Sequence, residues 1–309
     1  MNPTVIPSLQ TDDELVQRAR RSDARFAVAG LLVLIVSMIV LLSLIIDFAI
    51  DGLGRIDYAF LTEYPSRRPA SAGILSAWVG TALVMLVTAA LSVPLGVAAG
   101  LYLEEYAPKS WFTSLIEINI TNLAGVPSII YGLLALGLFV QTLGMGQTIV
   151  VAGMTLALLI LPIIIVSTRE AVRSVPLETR EAAFALGADK WQTVGSYLLP
   201  AARPGILTGI IVGLSRAIGE TAPIITIGAL SFIAFLPPAP VQNTFPFVNF
   251  EWLNSPFTVL PIQMFNWISR PQAGFHVNAA ATGLILLSMT LLMNGAAIWL
   301  RYKIRRGAR

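Results

Sequence analysis

Two ionisable side chains within an apolar stretch have the types and spacing to act on a charged solute. Arg216 and Glu220 lie in residues 215–223, where most of the other side chains are small or apolar. Burying either charge in hydrocarbon costs about 3 kcal/mol on insertion scales, so such a residue is a functional hypothesis by default. The i, i+4 spacing places both on one helix face. We predict that Arg216, Glu220 and Thr221 line a pathway for an anion. A self-satisfied pair that only joins helices is the alternative.

Other kinds of site chemistry have few residues to use. The chain has no cysteine, which excludes disulfides, iron–sulfur clusters and thiol catalysis. Its single histidine, His276, cannot build a metal site alone, and we expect it to be solvated. None of the three lysines follows a glycine, so a phosphate-binding loop is absent and any ATP must bind to another chain. Glu104 and Glu105 are the only adjacent acids near an interface, and they form no catalytic constellation. We therefore expect a non-catalytic chain with no metal and no cofactor.

A polar segment between two apolar runs has the signals of a helix, a glycine turn and a second helix. Pro176 suits the first position of a helix, and Gly187 suits the left-handed residue that closes it. Asp189 and Gln192 have the spacing of a capping box at the start of a second short helix. Pro200 is expected to end that helix before the next apolar run.

The first arm of this segment carries apolar side chains that have no local cover. Phe184 and Leu186 lie on an otherwise polar helix. Apolar anchors on a short helix suit the groove of a partner protein. An ordinary amphipathic linker between two membrane helices is the alternative.

The composition predicts an all-α integral membrane protein. Of the 309 residues, 56% are hydrophobic and 12% are charged, and the mean hydropathy is +0.76. Pro94 and Pro127 interrupt two of the apolar runs, which is tolerable where neighbouring helices cover the freed carbonyl groups. Six stretches are long enough to cross a bilayer as transmembrane helices, namely residues 26–46, 73–101, 118–140, 148–166, 206–230 and 279–300.

The lysines and arginines predict the orientation of the chain. Of these 20 residues, 15 fall in the N-terminal segment, the second and fourth connections and the C-terminal tail, against four in the other connections. The positive-inside rule therefore puts both termini and residues 176–200 in the cytoplasm. The net charge of +3 is a sign of topology and gives no case for a nucleic-acid partner. The N-terminal segment lacks the features of a removable signal peptide.

The connection at residues 231–277 is long and rich in aromatic residues. Residues 231–275 hold ten phenylalanines and tryptophans and seven prolines. A loop of this length without a regular period is commonly functional. We expect a folded cap or an interfacial helix near residues 256–267, with Phe250 and Trp252 on a surface for an extracytoplasmic partner. An aromatic belt that anchors the loop to membrane lipid is the alternative.

The polar segment resembles the EAA loop of binding-protein-dependent ABC importers. The matching residues are Glu181, Ala182, Ala183, Gly187, Leu199 and Pro200, with Tyr197 where the family usually has isoleucine. The resemblance implies that residues 176–200, called the coupling segment below, dock on a cytoplasmic ATPase. Phe184 and Leu186 would be among the contacts.

Three further motifs resemble the phosphate branch of that family, and the PstA type of permease subunit in particular. Ala222 and Pro223 favour this type over its sister type, PstC. The motifs are residues 122–132, 216–223 and 257–271.

The resemblance covers roughly residues 73–300 and implies a MetI-like permease core of the type I ABC importer architecture. Residues 1–72 would form an N-terminal cytoplasmic segment, the first transmembrane helix and its outer loop. Residues 301–309 would form a basic cytoplasmic tail. Within the core, Asn122, Ser128 and Tyr131 are the next candidates for the substrate pathway.

The resemblance also implies a phosphate importer of the bacterial inner membrane, in which this chain forms half of the translocation pathway. Its partners would be a PstC-like second permease subunit, PstB-like ATPase subunits and a PstS-like extracytoplasmic phosphate-binding protein, with membrane lipid around the spans. A permease for another oxyanion and the sister phosphate subunit are alternatives. An ion-driven secondary transporter would need no coupling segment, and a membrane enzyme would need catalytic residues that the sequence lacks.

Overall fold

Long apolar runs form helices in lipid because a helix satisfies its own backbone groups, and the structure is helical. It is a computed structural model that describes residues 9–242 and 247–307. No strand occurs in these two ranges, and the predicted all-α fold is confirmed. In chain order the α-helices are α1 (Leu9–Gly52), α2 (Tyr58–Thr62), α3 (Leu75–Leu101), α4 (Trp111–Leu123), α5 (Ser128–Ala135), α6 (Ile149–Arg173), α7 (Leu177–Ala185), α8 (Lys190–Gln192), α9 (Leu199–Gly219), α10 (Ala222–Thr226), α11 (Leu260–Ile268) and α12 (Ala273–Gly307).

Some of these helices continue into wider π-helical turns, in which the backbone bonds run from residue i to i+5. The π-turns are Tyr102–Tyr106 after α3, Leu136–Thr142 after α5 and Thr193–Leu198 between α8 and α9. Short 3₁₀ turns occupy Leu53–Arg55, Pro69–Ser71 and Glu251–Asn254.

The chain divides after Asp51 into two compact units. In the first unit, α1 is one continuous helix whose apolar part is rich in valine, leucine and isoleucine. The second unit holds α2 to α12.

Several helical segments of the described residues are long and apolar enough to cross a membrane. Four of them correspond to the predicted first, second, fourth and sixth spans, and Pro94 lies inside α3 as expected. These four are Ala19–Arg55, Leu75–Tyr106, Ile149–Arg173 and Ala273–Lys303.

The predicted third span, residues 118–140, was wrong as a single helix. The chain forms two helical segments there, Trp111–Leu123 and Ser128–Thr142, which are bent by 105° relative to each other. Pro127 lacks a backbone N–H, and its ring pushes the preceding residue towards extended backbone. The helix therefore breaks at residues 124–127, although the average hydropathy of residues 118–140 is that of one continuous span. The pair makes a sixth candidate span only if both arms are counted as one.

The predicted fifth span, residues 206–230, begins and ends too late. The observed helical segment is Lys190–Gly219, which continues through the π-turn into α9. Pro200 was expected to end a helix, but it lies in the first turn of α9, where its missing N–H is tolerated. The helix ends at Gly219 because Glu220 is extended, and Pro223 could not donate the hydrogen bond needed to continue it.

Helices α3, α6 and α9 pack side by side at the centre of the second unit. A Cβ atom added to Gly153 of α6 would collide with Val87 of α3. One added to Gly209 of α9 would collide with Ser167 of α6. Small residues at such crossings let helices approach closely, and this packing drives helix association in lipid.

The connection after α10 folds back onto the core. Helix α11 occupies most of the stretch where we expected an interfacial helix. Trp267 of α11 is fully buried, with its ring centroid 6.0 Å from that of Phe60 and 6.3 Å from that of Phe275. Trp252, expected on a partner surface, is only 6% exposed and belongs to the main core cluster, whereas Phe250 is 67% exposed. The placement of Trp252 on a docking surface was therefore wrong, because the 3₁₀ turn at Glu251–Asn254 directs its ring inwards.

Candidate functional site

The predicted charged pair forms at the end of α9. Arg216 lies in the last turn of the helix, and its Nε donates to Oε1 of Glu220 at 3.1 Å. The two side chains are 38% and 17% exposed. We expected Arg216 in the middle of a span, which was wrong because Pro223 ends the helix early. A cation at this position also faces the negative end of the helix dipole, which stabilises it.

The bent helix pair α4–α5 lies next to this charged pair. The hydroxyl of Tyr131 in α5 donates to the carbonyl of Leu123 in α4 at 2.8 Å and so bridges the bend. Arg216 is near enough to act electrostatically on the Tyr131 phenol. Gly132 meets α10 so closely that an added Cβ atom would collide with Thr226. Tyr131 therefore lies in the same part of the fold as Arg216, in one core cluster with Ala217 and Ile218 of α9.

The other predicted pathway residues lie at the two breaks in the helices. Thr221 follows Glu220 and is the N-cap residue of α10, with its hydroxyl 3.5 Å from the carbonyl oxygen of Gly219. Asn122 is exposed in the last turn of α4, and Ser128 is the half-buried first residue of α5. Among the described residues, neither Asn122 nor Ser128 makes a hydrogen bond to Arg216.

The cavity inside the chain beside Glu220 is small. A cavity of about 10 Å³ adjoins this residue and is lined by α3, α6, α9 and α10, with Val259 and Pro261. Such a volume holds about one water molecule. The cavity is therefore too small for a polyatomic anion.

The coupling segment has the predicted turn and cap. Gly187 has φ of +82°, and the Asp189 carboxylate accepts from the backbone N–H of Gln192 at 2.7 Å. The Gln192 side chain accepts from the backbone N–H of Asp189 at 3.0 Å, which completes the capping box. Pro176 is the N-cap residue, one position before the helical position that we expected.

The first arm of the coupling segment presents its apolar side chains to the outside. Phe184 is 50% exposed and Leu186 is 81% exposed. Glu181 and Ala182 are exposed as well, whereas Ala183 is buried against the rest of the chain. Pro200 lies apart from them, half-buried at the start of α9. Of the EAA-like residues on the first arm, Ala183 is thus turned inwards and its two neighbours are available to a partner.

A cluster of ion pairs joins α3, α4, α6 and α7, and the sequence analysis missed it. The clustered residues are Glu104, Glu105, Glu117, Arg169, Arg173 and Arg180. We had used the arginines only as a topology signal and the two adjacent glutamates only to judge catalysis. The detectable signal was the i, i+4 spacing of Arg169 and Arg173 at the end of one apolar run, with two acids at the end of another.

Two further polar contacts lie outside the predicted sites. Ser215 donates to Oδ1 of Asn294 at 2.5 Å, which joins α9 to α12 beside the charged pair. His276 is exposed, and its Nε2 lies 2.8 Å from the carbonyl oxygen of Arg270.

Comparison with known proteins bears directly on this arrangement. The family described as "binding-protein-dependent transport system inner membrane component" matches residues 92–306. The chain belongs to this family. The matched range begins in α3 and includes the charged pair, the bent helix pair and the coupling segment.

Relatives within this transport family cover most of the chain. The phosphate transport system permease protein PstA of Mycobacterium leprae is 32% identical over 275 residues, covering 88% of this chain and 86% of that protein. The PstA protein of Yersinia pestis is 30% identical over 297 residues, covering 92% and 94%. A probable ABC transporter permease protein of Bacillus subtilis, YqgI, is 32% identical over 266 residues, covering 84% and 88%.

A solved transporter structure has a fold similar to that of this chain. A chain of the MetNI methionine ABC transporter, in an inward-facing conformation, aligns with a TM-score of 0.51 at 17% identity. The alignment covers 73% of this chain and 91% of that chain. The predicted MetI-like permease fold is confirmed.

Proposed function

We propose that this chain is a permease subunit of an ATP-driven phosphate importer and forms half of its translocation pathway. The observation that carries the proposal is the Arg216–Glu220 pair, 3.1 Å apart at the interrupted end of α9. It occurs in a chain that is about one third identical to phosphate transport permeases over most of its length. An arginine paired with one acid suits an anion, whereas a cation pathway would display acids without a matching arginine.

In the proposed mechanism Arg216 replaces water around the anion. Inorganic phosphate carries roughly one to two negative charges near neutral pH, and removing its water requires donors and positive potential in return. The guanidinium provides a planar fork of donors that matches phosphate oxygens. Thr221 and Tyr131 add hydroxyl groups nearby, with Asn122 and Ser128 at the adjacent bend.

Glu220 sets the balance of the empty site. It neutralises Arg216 when no anion is present, so an incoming phosphate must compete with an existing ion pair. This competition keeps phosphate binding weak enough for release. In each transport cycle phosphate replaces Glu220 as the partner of Arg216, and Glu220 returns when phosphate leaves.

The coupling segment would connect this pathway to ATP. We place it in the cytoplasm with both termini, and we propose that Glu181, Ala182, Phe184, Leu186 and the Gly187 turn contact a PstB-like ATPase. Closure of the ATPases on ATP would push the segment and rock the core helices between inward and outward states. A PstC-like subunit would supply the other half of the pathway, and a PstS-like protein would deliver phosphate from outside the inner membrane.

Reconstitution tests the assembly and its substrate together. The chain is co-expressed with candidate PstC-, PstB- and PstS-like partners, purified as a complex and placed in liposomes containing ATP. We expect uptake of labelled phosphate that requires the binding protein and ATP and resists excess sulfate and molybdate. Competition by sulfate or molybdate at equal strength would indicate a permease for another oxyanion. Uptake driven by an ion gradient without ATP would contradict the proposal altogether.

A further inference from the structure

The guanidinium of Arg180 in α7 joins three elements at one point. It donates to the Glu105 carboxylate through Nη2 at 2.8 Å and Nε at 3.3 Å. It also donates to the carbonyl oxygens of Val172 at 3.2 Å and Val175 at 3.1 Å, where α6 ends. A helix leaves its last carbonyl groups without partners, so Arg180 closes the end of α6 while it holds the turn that follows α3.

The π-turn after α3 makes this arrangement possible. Glu104 and Glu105 are consecutive in it, yet they reach different helices. Glu104 binds Arg173 of α6 in a bidentate manner, at 3.0 and 2.9 Å, whereas Glu105 binds Arg180 of α7. Arg169 adds a third link by pairing with Glu117 of α4 at 2.8 Å. Ion pairs therefore connect the end of α3 to α7 of the coupling segment and to α6, and through Arg169 to α4 of the bent helix pair.

Of the α7 side chains, only Ala183 is buried. The second arm of the coupling segment packs through Val194 and Leu198 into an apolar cluster with Val172 and Val175. Within the described residues, α7 contributes no side chain to that cluster. Its main packing contact is with the π-turn of the same segment, Thr193–Leu198. Among the described residues, the Arg180 contacts are thus a direct polar attachment of the first arm to the ends of α3 and α6.

Low exposure makes this attachment stiff. The Arg180 and Glu105 side chains are 18% and 12% exposed, so water and salt screen the pair less than a surface ion pair. Charge-assisted hydrogen bonds are also shorter and stronger than neutral ones. In contrast, Glu170 and Arg173 are 3.5 Å apart and mostly exposed, so their pair contributes little.

We propose that the Glu105–Arg180 pair carries displacement of α7 into α3 and α6, and from them to α9 and Arg216. Arg180 is then a positioning residue that contacts neither solute nor ATP. The inference rests on the proposed function, because it assumes that an ATPase moves the coupling segment. The inference identifies the contact through which movement of the coupling segment reaches the core helices.

The first test compares coupling in reconstituted complexes. Glu105→Gln removes the charge with almost no change in shape, Arg180→Gln removes the partner, and Glu170→Gln is the matched control on α6. We expect Glu105→Gln, which lies outside the coupling segment, to retain ATPase association and basal ATP hydrolysis, while phosphate transported per ATP falls several-fold in both pair variants. Arg180→Lys keeps the charge but lacks the planar fork, and should fall in between. A wild-type ratio in both Glu105→Gln and Arg180→Gln would overturn the proposal.

The second test measures the linkage itself and needs no ATPase. The chain has no cysteine, so spin labels can be attached at Tyr102→Cys in the π-turn and Leu177→Cys in α7. In the chain alone in lipid nanodiscs, we expect a narrow distance distribution that broadens with Glu105→Gln and not with Glu170→Gln. An unchanged distribution in Glu105→Gln would contradict the linkage, even if that variant failed to assemble.

The two tests separate failure of the inference from failure of the proposed function. If the wild-type chain binds no ATPase and moves no phosphate, the proposed function is wrong, and the nanodisc distances still decide whether the pair holds α7. If the wild-type complex is active, its label distance should be the same with and without ATP. A shift of several ångströms on ATP binding would show that α7 and α3 do not move together.

Discussion

At the scale of single residues, Arg216 has one ion-pair partner among the described residues and is only partly buried. Its guanidinium is paired with Glu220, carries the favourable charge for a helix C-terminus, and remains partly exposed. An arginine buried among several carboxylates would exchange partners slowly. With one acidic partner and a partly exposed side chain, Arg216 suits the proposed exchange of Glu220 for an anion.

The first residue-scale prediction concerns the charge at position 216. Arg216→Gln should lower phosphate uptake roughly 10- to 100-fold, because hydrogen bonds to a charged group contribute about 1.5–3 kcal/mol. Arg216→Lys should keep part of the activity, since it retains the charge without the fork. The measurement is the initial rate of labelled phosphate uptake by complexes of equal subunit content. Arg203→Gln, an exposed arginine at the other end of α9, is the control. Wild-type uptake by Arg216→Gln would make this arginine purely structural.

The second residue-scale prediction concerns release. Glu220→Gln leaves the guanidinium without a competing carboxylate, so phosphate should be held longer and turnover should fall while the KM for phosphate does not rise. ATP hydrolysis per transported phosphate should increase. Uptake as a function of phosphate concentration, with hydrolysis measured in parallel, separates these effects. A higher KM at unchanged maximal rate would mean that Glu220 binds the substrate instead.

At the scale of helices, the sequence predicted the local turn and cap of the coupling segment, but it did not predict where two of the long spans break. The cap at Asp189 and the left-handed Gly187 depend on a few neighbouring residues, and both formed as expected. The breaks at residues 124–127 and after Gly219 lie inside runs whose average hydropathy is that of continuous spans. Hydropathy follows composition and does not register which carbonyl groups lose their partners at a proline. Arg216 was therefore assigned to the correct helix and to the wrong part of it.

The element-scale prediction uses the turn between the two arms of the coupling segment. Proline holds φ near −65°, so Gly187→Pro cannot adopt the observed φ of +82° and should abolish ATPase association and uptake. Gly187→Ala should weaken both, since left-handed backbone costs about 1–2 kcal/mol for a residue with a side chain. Gly195→Ala in the same segment is the control, because open space surrounds that glycine. Pull-down of the ATPase and membrane content are measured together. Full association by Gly187→Pro would remove this segment as the docking element.

At the scale of the whole molecule, the second unit contains the whole range that matches the permease family, residues 92–306. The cavity beside Glu220 is about 10 Å³, too small to hold the proposed substrate. Family motifs in the sequence were enough to predict the fold, and a few neighbouring residues were enough to predict the turn and cap of the coupling segment. The burial of Trp252 was not predictable in that way. It depends on contacts between the outer connection and helices far away in the sequence.

The last prediction assigns different roles to Phe250 and Trp252, two aromatic side chains in the connection at residues 231–277. Phe250 is 67% exposed and precedes the 3₁₀ turn at Glu251–Asn254, which makes it available to the proposed extracytoplasmic binding protein. Phe250→Glu should weaken the stimulation of ATP hydrolysis by phosphate-loaded binding protein, leave basal hydrolysis intact and change thermal stability little. Phe250→Tyr should behave as wild type. Trp252→Ala should instead lower stability by about 3–5 kcal/mol, the usual loss for a large aromatic removed from a core. Stimulated hydrolysis and thermal unfolding of the purified complex are the two measurements. If Phe250→Glu is correctly inserted and fully stimulated, this aromatic side chain anchors the loop to lipid and the binding protein docks elsewhere.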